Sequence, residues 1–200
     1  SKNYDFWEFR NNFFISESFK NALQKPIIMA KVRKNCAYQK LERPYTRISK
    51  YTKKNFVRGG RPHMKVIKFD MGNASKEYDT TIQLLSKRSM HIRHNSMEAA
   101  RQTSNRLLEK GTNKEYHLRI KIYPHHILRE NPLASGAGAD RMSTGMKKSY
   151  GKSISCAARV KEGQTLMEVR INKEHLKLGK EALARAAKKF PCSCKIKVLE

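Results

Sequence analysis

Two hundred residues give one domain room for a core, and 43 Lys and Arg against 17 Asp and Glu leave a net charge of +26. A solvated surface needs both signs, and self-repulsion on this scale destabilises a compact body unless a polyanion offsets it. No segment approaches the roughly 20 apolar residues of a membrane span, and the basic residues are spread along the chain instead of gathered beside one anchor. Nucleic acid is the partner that fits. The cysteines (Cys36, Cys156, Cys192, Cys194) form no Cys-x-x-Cys pair, and Cys192-Ser-Cys194 puts two thiols on one face of an extended strand. They read as reduced thiols in a reducing compartment, with neither a metal nor another cofactor implied. The opening segment is charged throughout and has no apolar signal core, so the expected location is the cytoplasm.

Residues 1–28 are unlike the rest, with Tyr4, Phe6, Trp7, Phe9, Phe13, Phe14 and Phe19 in a nearly charge-balanced stretch. Met29-Ala30-Lys31 has the look of a start, so this atypical extension is read as a lineage-specific arm or an upstream stretch outside the working protein. Residues 29–63 form a basic arm leading into an α+β domain over 64–200. Within 31–68 the cations Lys31, Arg33, Lys34, Lys40, Arg43, Arg47, Lys50, Lys53, Lys54, Arg58, Arg61, Lys65 and Lys68 face the single acid Glu42, with Tyr38, Tyr45, Tyr51 and Phe56 interleaved. That pattern predicts an extended arm ordered on nucleic acid, cations on phosphates and some aromatics on bases or riboses.

From Met64 the pattern turns globular. Met64–Phe69 reads as a strand closed by the turn Asp70-Met-Gly-Asn73; Thr80–Leu85 and Ser89–His94 follow as short strands. Asn95 with Glu98 three residues on forms a capping box for a helix from Ser96 to about Lys110, stopped by Gly111, with Met97, Ala100, Ser104, Leu107 and Leu108 inward. Tyr116–Tyr123 alternates cleanly: Tyr116, Leu118, Ile120 and Ile122 to a core, His117, Arg119, Lys121 and Tyr123 to a basic face. Ile154–Val160 and Thr165–Ile171 read as a hairpin joined by Lys161-Glu-Gly-Gln164. Asn172 caps a second helix that ends at Pro191, and Ser193–Leu199 is a last strand. The mixture lacks a βαβ rhythm, which predicts one α+β domain with two helices on an open or strongly curved mixed sheet.

The segment from Tyr123 to Ser153 is too long for an ordinary connection. Its middle is small and glycine-containing; its edges carry Arg129, Arg141, Lys147, Lys148 and Lys152 against Glu130 and Asp140. Such a loop, placed over 129–152, has no core of its own and is built to be ordered by an external anion. Gly136-Ala-Gly138-Ala-Asp140 lacks the third glycine of a dinucleotide fingerprint, and Gly145 to Gly151 has five intervening residues where a P-loop has four. His94, His125, His126 and Asp140 are catalytic candidates only by residue type, and Ser135, Ser143 and Ser149 sit in no nucleophile elbow. No catalytic residue is assigned.

The run Ser89-Met-His-Ile-Arg-His-Asn-Ser-Met-Glu-Ala-Ala-Arg101, the segment Tyr123–Met146 with its Ser-Gly-Ala-Gly-Ala-Asp-Arg core, Ala157-Ala-Arg-Val160 and Glu181-Ala-Leu-Ala-Arg185 closely resemble the universal L-sixteen family of large-subunit ribosomal proteins, in its archaeal and eukaryotic L-ten-e branch. The resemblance covers roughly residues 30–200. It implies an RNA-binding structural protein whose partners are large-subunit ribosomal RNA, A-site and P-site tRNA and neighbouring ribosomal proteins, with no membrane and no small-molecule substrate. The arm cations, with Arg119 and Lys121 on their basic strand face, are expected on rRNA from the charge pattern; carried over by position, Arg141, Lys147, Lys148 and Lys152 would flank the long loop on rRNA. Arg129 and the run Ser135, Gly136, Ala137, Gly138, Ala139, Asp140 and Arg141 would lie near tRNA and the peptidyl transferase centre. The chain departs from the family at Val32-Arg-Lys-Asn-Cys-Ala-Tyr38, where Arg-Pro-Ala-Arg-Cys-Tyr-Arg is usual, and the length to Glu200 suits an archaeal member. Two other readings remain open at this point: a free RNA- or tRNA-binding regulator, and an RNA-modifying enzyme using Asp140 or His126.

Overall fold

The computed structural model describes residues 33–41, 43–46, 57, 60–131, 136 and 151–199; all belong to the second of the chain's two units, Val32–Glu200. In order they form the short helix α1 (Cys36–Gln39), β1 (Asp70–Gly72), β2 (Thr80–Ser86), β3 (Met90–Arg93), α2 (His94–Thr112), β4 (His117–Ile120), β5 (His126–Glu130), β6 (Lys152–Val160), β7 (Thr165–Ile171), a 3₁₀ turn (Lys173–His175), α3 (Leu176–Ala187) and β8 (Cys194–Leu199). The α+β class expected from the sequence is what forms. The sheet, however, is divided in two: a five-stranded sheet ordered β1-β4-β7-β2-β8 and a three-stranded sheet ordered β3-β6-β5. All pairs among the described residues are antiparallel.

Register explains the larger sheet. Met71, Leu118, Val169, Ile82 and Val198 align across all five strands, and Ile120, Met167, Leu84 and Ile196 form a second row on the same face. Leu118, Val169, Ile82, Met167 and Leu84 are fully buried there, each contributing about 1.5–3 kcal/mol relative to exposure. Between these rows, and so on the opposite face, the register aligns Asp70, Arg119, Glu168, Gln83 and Lys197. Strand alternation therefore separates an apolar face from a charged one. α3 lies on the apolar face: a Cβ at Gly179 would come within 2.4 Å of Ile171 Cδ1 and 2.8 Å of Ile82 Cδ1. α2 packs beside α3, with Gly111 where a Cβ would sit 2.5 Å from Leu178 Cδ2.

Several local expectations are corrected. The ladder expected at Met64–Phe69 lies instead at Asp70–Gly72, the stretch read as a turn. Val66 is fully buried and Met64 packs on the core, but the backbone N–H of Lys65 goes to the ring of His94, so burial alternates without a neighbouring strand. The capping box does not form, because the Glu98 carboxylate is taken by Arg101 and Gln102. Arg93, not Asn95, is the residue before the helix. Nor does Gly111 stop α2; the helix runs through it to Thr112 and ends where Asn113 turns left-handed at φ 47°. Asn172 precedes a 3₁₀ turn without a side-chain cap, and α3 starts only at Leu176. β6 and β7 are not a hairpin. Their connecting turn is pinned to the end of β2, Gly163 N–H donating to Ser86 O (2.8 Å) and Ser86 N–H to Gln164 O (3.0 Å), so the chain leaves one sheet and enters the other. β5 was not foreseen, since Pro124 and two histidines read as a strand end. It pairs with β6 from His126↔Ala157 to Glu130↔Lys152, closing both ends of the long loop. At that closure Gly151 has φ +146°, and a Cβ there would come within 2.9 Å of the Glu130 carbonyl carbon.

The described part of the basic arm is held by this body. Tyr45 lies along β5, its N–H donating to His126 Nδ1 (2.9 Å) and its carbonyl accepting from the Ile127 N–H (3.1 Å). Farther on, Gly60 O accepts from Ser153 Oγ (3.0 Å), Pro62 O from the Cys156 thiol (3.4 Å), and His94 Nδ1 from the Lys65 N–H (2.9 Å). One arm N–H, that of Tyr45, and the N–H of Lys65 just beyond the arm thus depend on neutral imidazoles. Burial, with His91, Arg159 and Arg129 nearby, pushes His126 down to about 4. Burial, with Arg93, Lys65 and His63, also lowers His94.

This packing generates two predictions. Both histidines titrate below their unfolded value near 6.5, so their contribution is complete above that pH and is lost as pH falls toward the folded values. Between pH 6.5 and 5, before carboxylates titrate appreciably, the melting temperature should fall and exchange at the Tyr45 and Lys65 amides, corrected for intrinsic rates, should accelerate; flat profiles would refute the clasp. At Gly72 (φ +85°) a Cβ would lie only 2.0 Å from Tyr116 O, whereas at Gly163 (φ +73°) it would meet nothing within 4 Å. In urea unfolding Gly72→Ala should cost about 3 kcal/mol or more, and Gly163→Ala about 1 kcal/mol, the price of the backbone conformation alone.

Candidate nucleic-acid interface

The residues that follow β4 build a surface of rings and cations. Alternation carries on past the ladder: Ile122 is buried and Tyr123 is turned out, 39% exposed. Tyr123 stacks on Phe69 (centroids 5.2 Å, 24°), and His125 lies against it at 4.5 Å, tilted by 43°. The Arg61 guanidinium sits 5.8 Å from the Tyr123 ring centre and donates to Pro124 O at 3.3 Å. Next to the rings is a cleft of about 440 Å³, with Pro44, Lys121, Tyr123, His125 and Arg159 among its lining. Arg159 Nε is buried and has no hydrogen-bond partner among the described residues. A stack ending in exposed rings, bordered by a guanidinium with an unmet N–H, suits an unstacked base and its phosphate.

The adjacent histidines part company. His125 joins the exposed rings, while His126 turns inward and stacks on His91 (4.6 Å, 17°). Arg129 is likewise directed back to the body, its guanidinium 3.7 Å from the centre of the Tyr45 ring.

The other expected cations fall into two groups. Some are held by the protein's own acids: Arg33 pairs with Glu130, Arg119 with Asp70 (3.3 Å) and Lys121 with Glu168 (3.0 Å). Glu168 is a buried carboxylate. Burial alone would raise it, but hydrogen bonds from Lys121 and Arg170 prevail and hold it below the usual range. Lys34, Arg43, Arg61 and Lys152 are exposed. Gly136 is exposed with φ +120°. Lys31, Arg47, Lys53, Lys54, Arg58, Ser135, Ala137, Gly138, Ala139, Asp140, Arg141, Lys147 and Lys148 lie outside the described residues.

Arg159 and Glu168 were missed as participants. The one available signal was a charged residue interrupting each apolar strand, Ala157-Ala-Arg-Val160 and Leu166-Met-Glu-Val169. All four cysteines are unpaired thiols. Cys192 Sγ lies 3.7 Å from Cys194 Sγ, and their hydrogen bond lowers Cys192 to about 6 and raises Cys194. Among the described residues no group of His, Cys, Asp or Glu could hold a metal ion, and no helix is long and apolar enough to cross a membrane.

Comparison with known proteins places this architecture. Residues 46–197 match the profile of the family described as ribosomal protein L16p/L10e. The large ribosomal subunit protein uL16 of Staphylothermus marinus is 45% identical over 157 residues, covering 77% of this chain and 90% of that protein. Its counterpart in Archaeoglobus fulgidus is 44% identical over 162 residues (80% and 89%), and that of Methanococcus maripaludis strain C7 is 45% identical over 149 residues (74% and 86%). With the family profile and archaeal relatives both spanning most of the chain, the protein belongs to the ribosomal protein L16p/L10e family in its archaeal form, a structural constituent of the ribosome and not an enzyme.

Proposed function

We propose that this protein is built into the large ribosomal subunit in the cytoplasm, where it binds ribosomal RNA and supports translation. The observation that carries the reading is the exposed stack of Tyr123 and His125 beside Arg61 and the Arg159 cleft, set in a chain of net charge +26. Phosphate contacts by the exposed cations Lys34, Arg43, Arg61 and Lys152 would set position, and stacking and shape would set specificity. The arm of residues 29–63, with Lys31, Arg47, Lys53, Lys54 and Arg58, extends the phosphate-binding surface of the 64–200 domain; residues 1–28 stand apart as an extension. Arg119 and Lys121 reach rRNA as already paired cations, which favours shape over charge at that point.

The loop between β5 and β6 is the element directed at A-site and P-site tRNA and the peptidyl transferase centre. Arg129 stands at its base, with Ser135 to Arg141 at its middle and Lys147 and Lys148 on its return. Support comes from its origin on a paired ladder, Glu130↔Lys152, which fixes both ends, and from its basic edges.

Sucrose-gradient fractionation of native extract tests the assignment. Stoichiometric co-migration with large subunits at moderate salt, reduced at high salt, is expected by mass spectrometry; recovery only in light fractions at moderate salt would overturn it. A second measurement addresses the rings. Tyr123→Ala/His125→Ala should weaken binding of a single-stranded rRNA fragment by about tenfold or more, since stacking contributes about 1–3 kcal/mol per base, while leaving the dependence on salt nearly unchanged. Unchanged affinity would remove the stack from the interface.

A further inference from the structure

A second concave surface lies between the two long helices, and it shares no residue with the aromatic cleft. A groove of about 500 Å³ has Arg106, Leu107 and Lys110 on α2 facing Arg185 on α3 and Lys188 and Lys189 just past its end. Arg106 and Lys110 are one turn apart on one face of α2, and Lys188 and Lys189 sit in the turn that follows α3. All five cations are exposed. Arg185 pairs with Glu181 (2.6 Å); Arg106, Lys110, Lys188 and Lys189 make no ion pair among the described residues. No acid is in the lining.

The arrangement works against the protein alone. Arg106 and Lys110 are like charges at i and i+4 on α2, a spacing that destabilises a helix, and Arg185, Lys188 and Lys189 crowd three more cations at the end of α3. The two sets are then brought together by helix packing close enough for Gly111 to meet Leu178. A solvated helix face would intersperse signs, as α3 does with the exposed pair Glu181 and Arg185. Here the groove is left cationic, so the charge that complements it comes from outside.

The lining also tells which form of RNA fits. It contains Leu107 and a threonine but no aromatic ring, so it lacks the broad stacking surface that an unpaired base is best held by. A double helix keeps its bases stacked inside and offers only phosphates and sugars to such a row of cations. We propose that the α2–α3 groove is a second RNA site that takes the phosphate backbone of a double-helical segment, so that the protein ties a duplex at its helices to an unpaired stretch at Tyr123 and His125. This rests on the RNA-binding reading above and deepens it.

The test uses the full chain with two fluorescein-labelled RNAs, a 20-base-pair duplex and a short unpaired strand, titrated at several salt concentrations. Arg106→Gln/Lys110→Gln/Lys188→Gln/Lys189→Gln should weaken duplex binding by about tenfold or more and make its log–log salt slope shallower by about 3 to 4, close to one for each phosphate no longer neutralised. Its effect on the single strand should be much the smaller, and Tyr123→Ala/His125→Ala should show the reverse pattern. A charge-keeping variant, Lys110→Arg/Lys188→Arg/Lys189→Arg, should retain the parental slope. An unchanged duplex slope in the quadruple variant would overturn the groove while leaving the RNA-binding reading intact. So would displacement of the duplex by poly-glutamate as effective as by unlabelled duplex, which would mark a general anion groove. Failure of the parent chain to bind either RNA in a salt-dependent way would overturn the RNA-binding reading itself.

Discussion

With 17 acids against 43 bases, the position of each carboxylate decides which cations the body keeps and which it leaves to a partner. Glu168, buried in the five-stranded sheet, holds Lys121 and Arg170; Asp70 holds Arg119 and lies 3.3 Å from the ring of His117; Glu98 holds Arg101 along α2. These pairs lie on or beside the ordered strands and helices, where unopposed charge would work against packing. Arg61, Lys152 and the α2–α3 groove lie where the chain meets solvent.

The same scarcity shapes the way the arm is attached. An arm this basic cannot be tied down by many ion pairs when so few acids are present. Besides the Arg33–Glu130 pair, its described residues are held by contacts that use no acid: the imidazoles of His94 and His126, the backbone N–H of Ile127, and the Arg129 guanidinium on the face of Tyr45. Burial among cations keeps both imidazoles unprotonated, so the positive surroundings that repel the arm also preserve the acceptors that bind it.

Much of this was legible from residue order, and the failures have physical causes. The alternation of Tyr116 to Tyr123 correctly separated Leu118, Ile120 and Ile122 from Arg119 and Tyr123, because a half-buried strand leaves a period of two. The Ser104 and Leu108 stripe of α2 was readable for the corresponding helical reason. Pairing was not readable: two strands joined by a short turn look like a hairpin, whereas β7 pairs with β2 and β4, and the turn before it is fixed to distant Ser86 through Gly163 and Gln164. Gly111 looked like a terminator, and what it does is admit Leu178, a contact set by a helix more than sixty residues away. At the interface, residue type was enough to mark Arg61 and Lys152 as basic and exposed. It could not show that Arg33, Arg119 and Lys121 already have acidic partners, nor that His125 and His126 face opposite surroundings.

The ladder beneath the long loop has one more consequence. Glu130 and Lys152 are paired strand neighbours, with Gly151 fitted against the Glu130 backbone, so the segment between them is closed by the body whatever path it takes. The entropy of bringing its ends together is already met by the β5–β6 pairing, and for such a closed segment a doubling of length adds only about 0.6 kcal/mol. Its size and composition are thereby uncoupled from the stability of the core. The loop is carried on a fixed mount, so what constrains its sequence is a partner outside the protein and not the sheets beneath it.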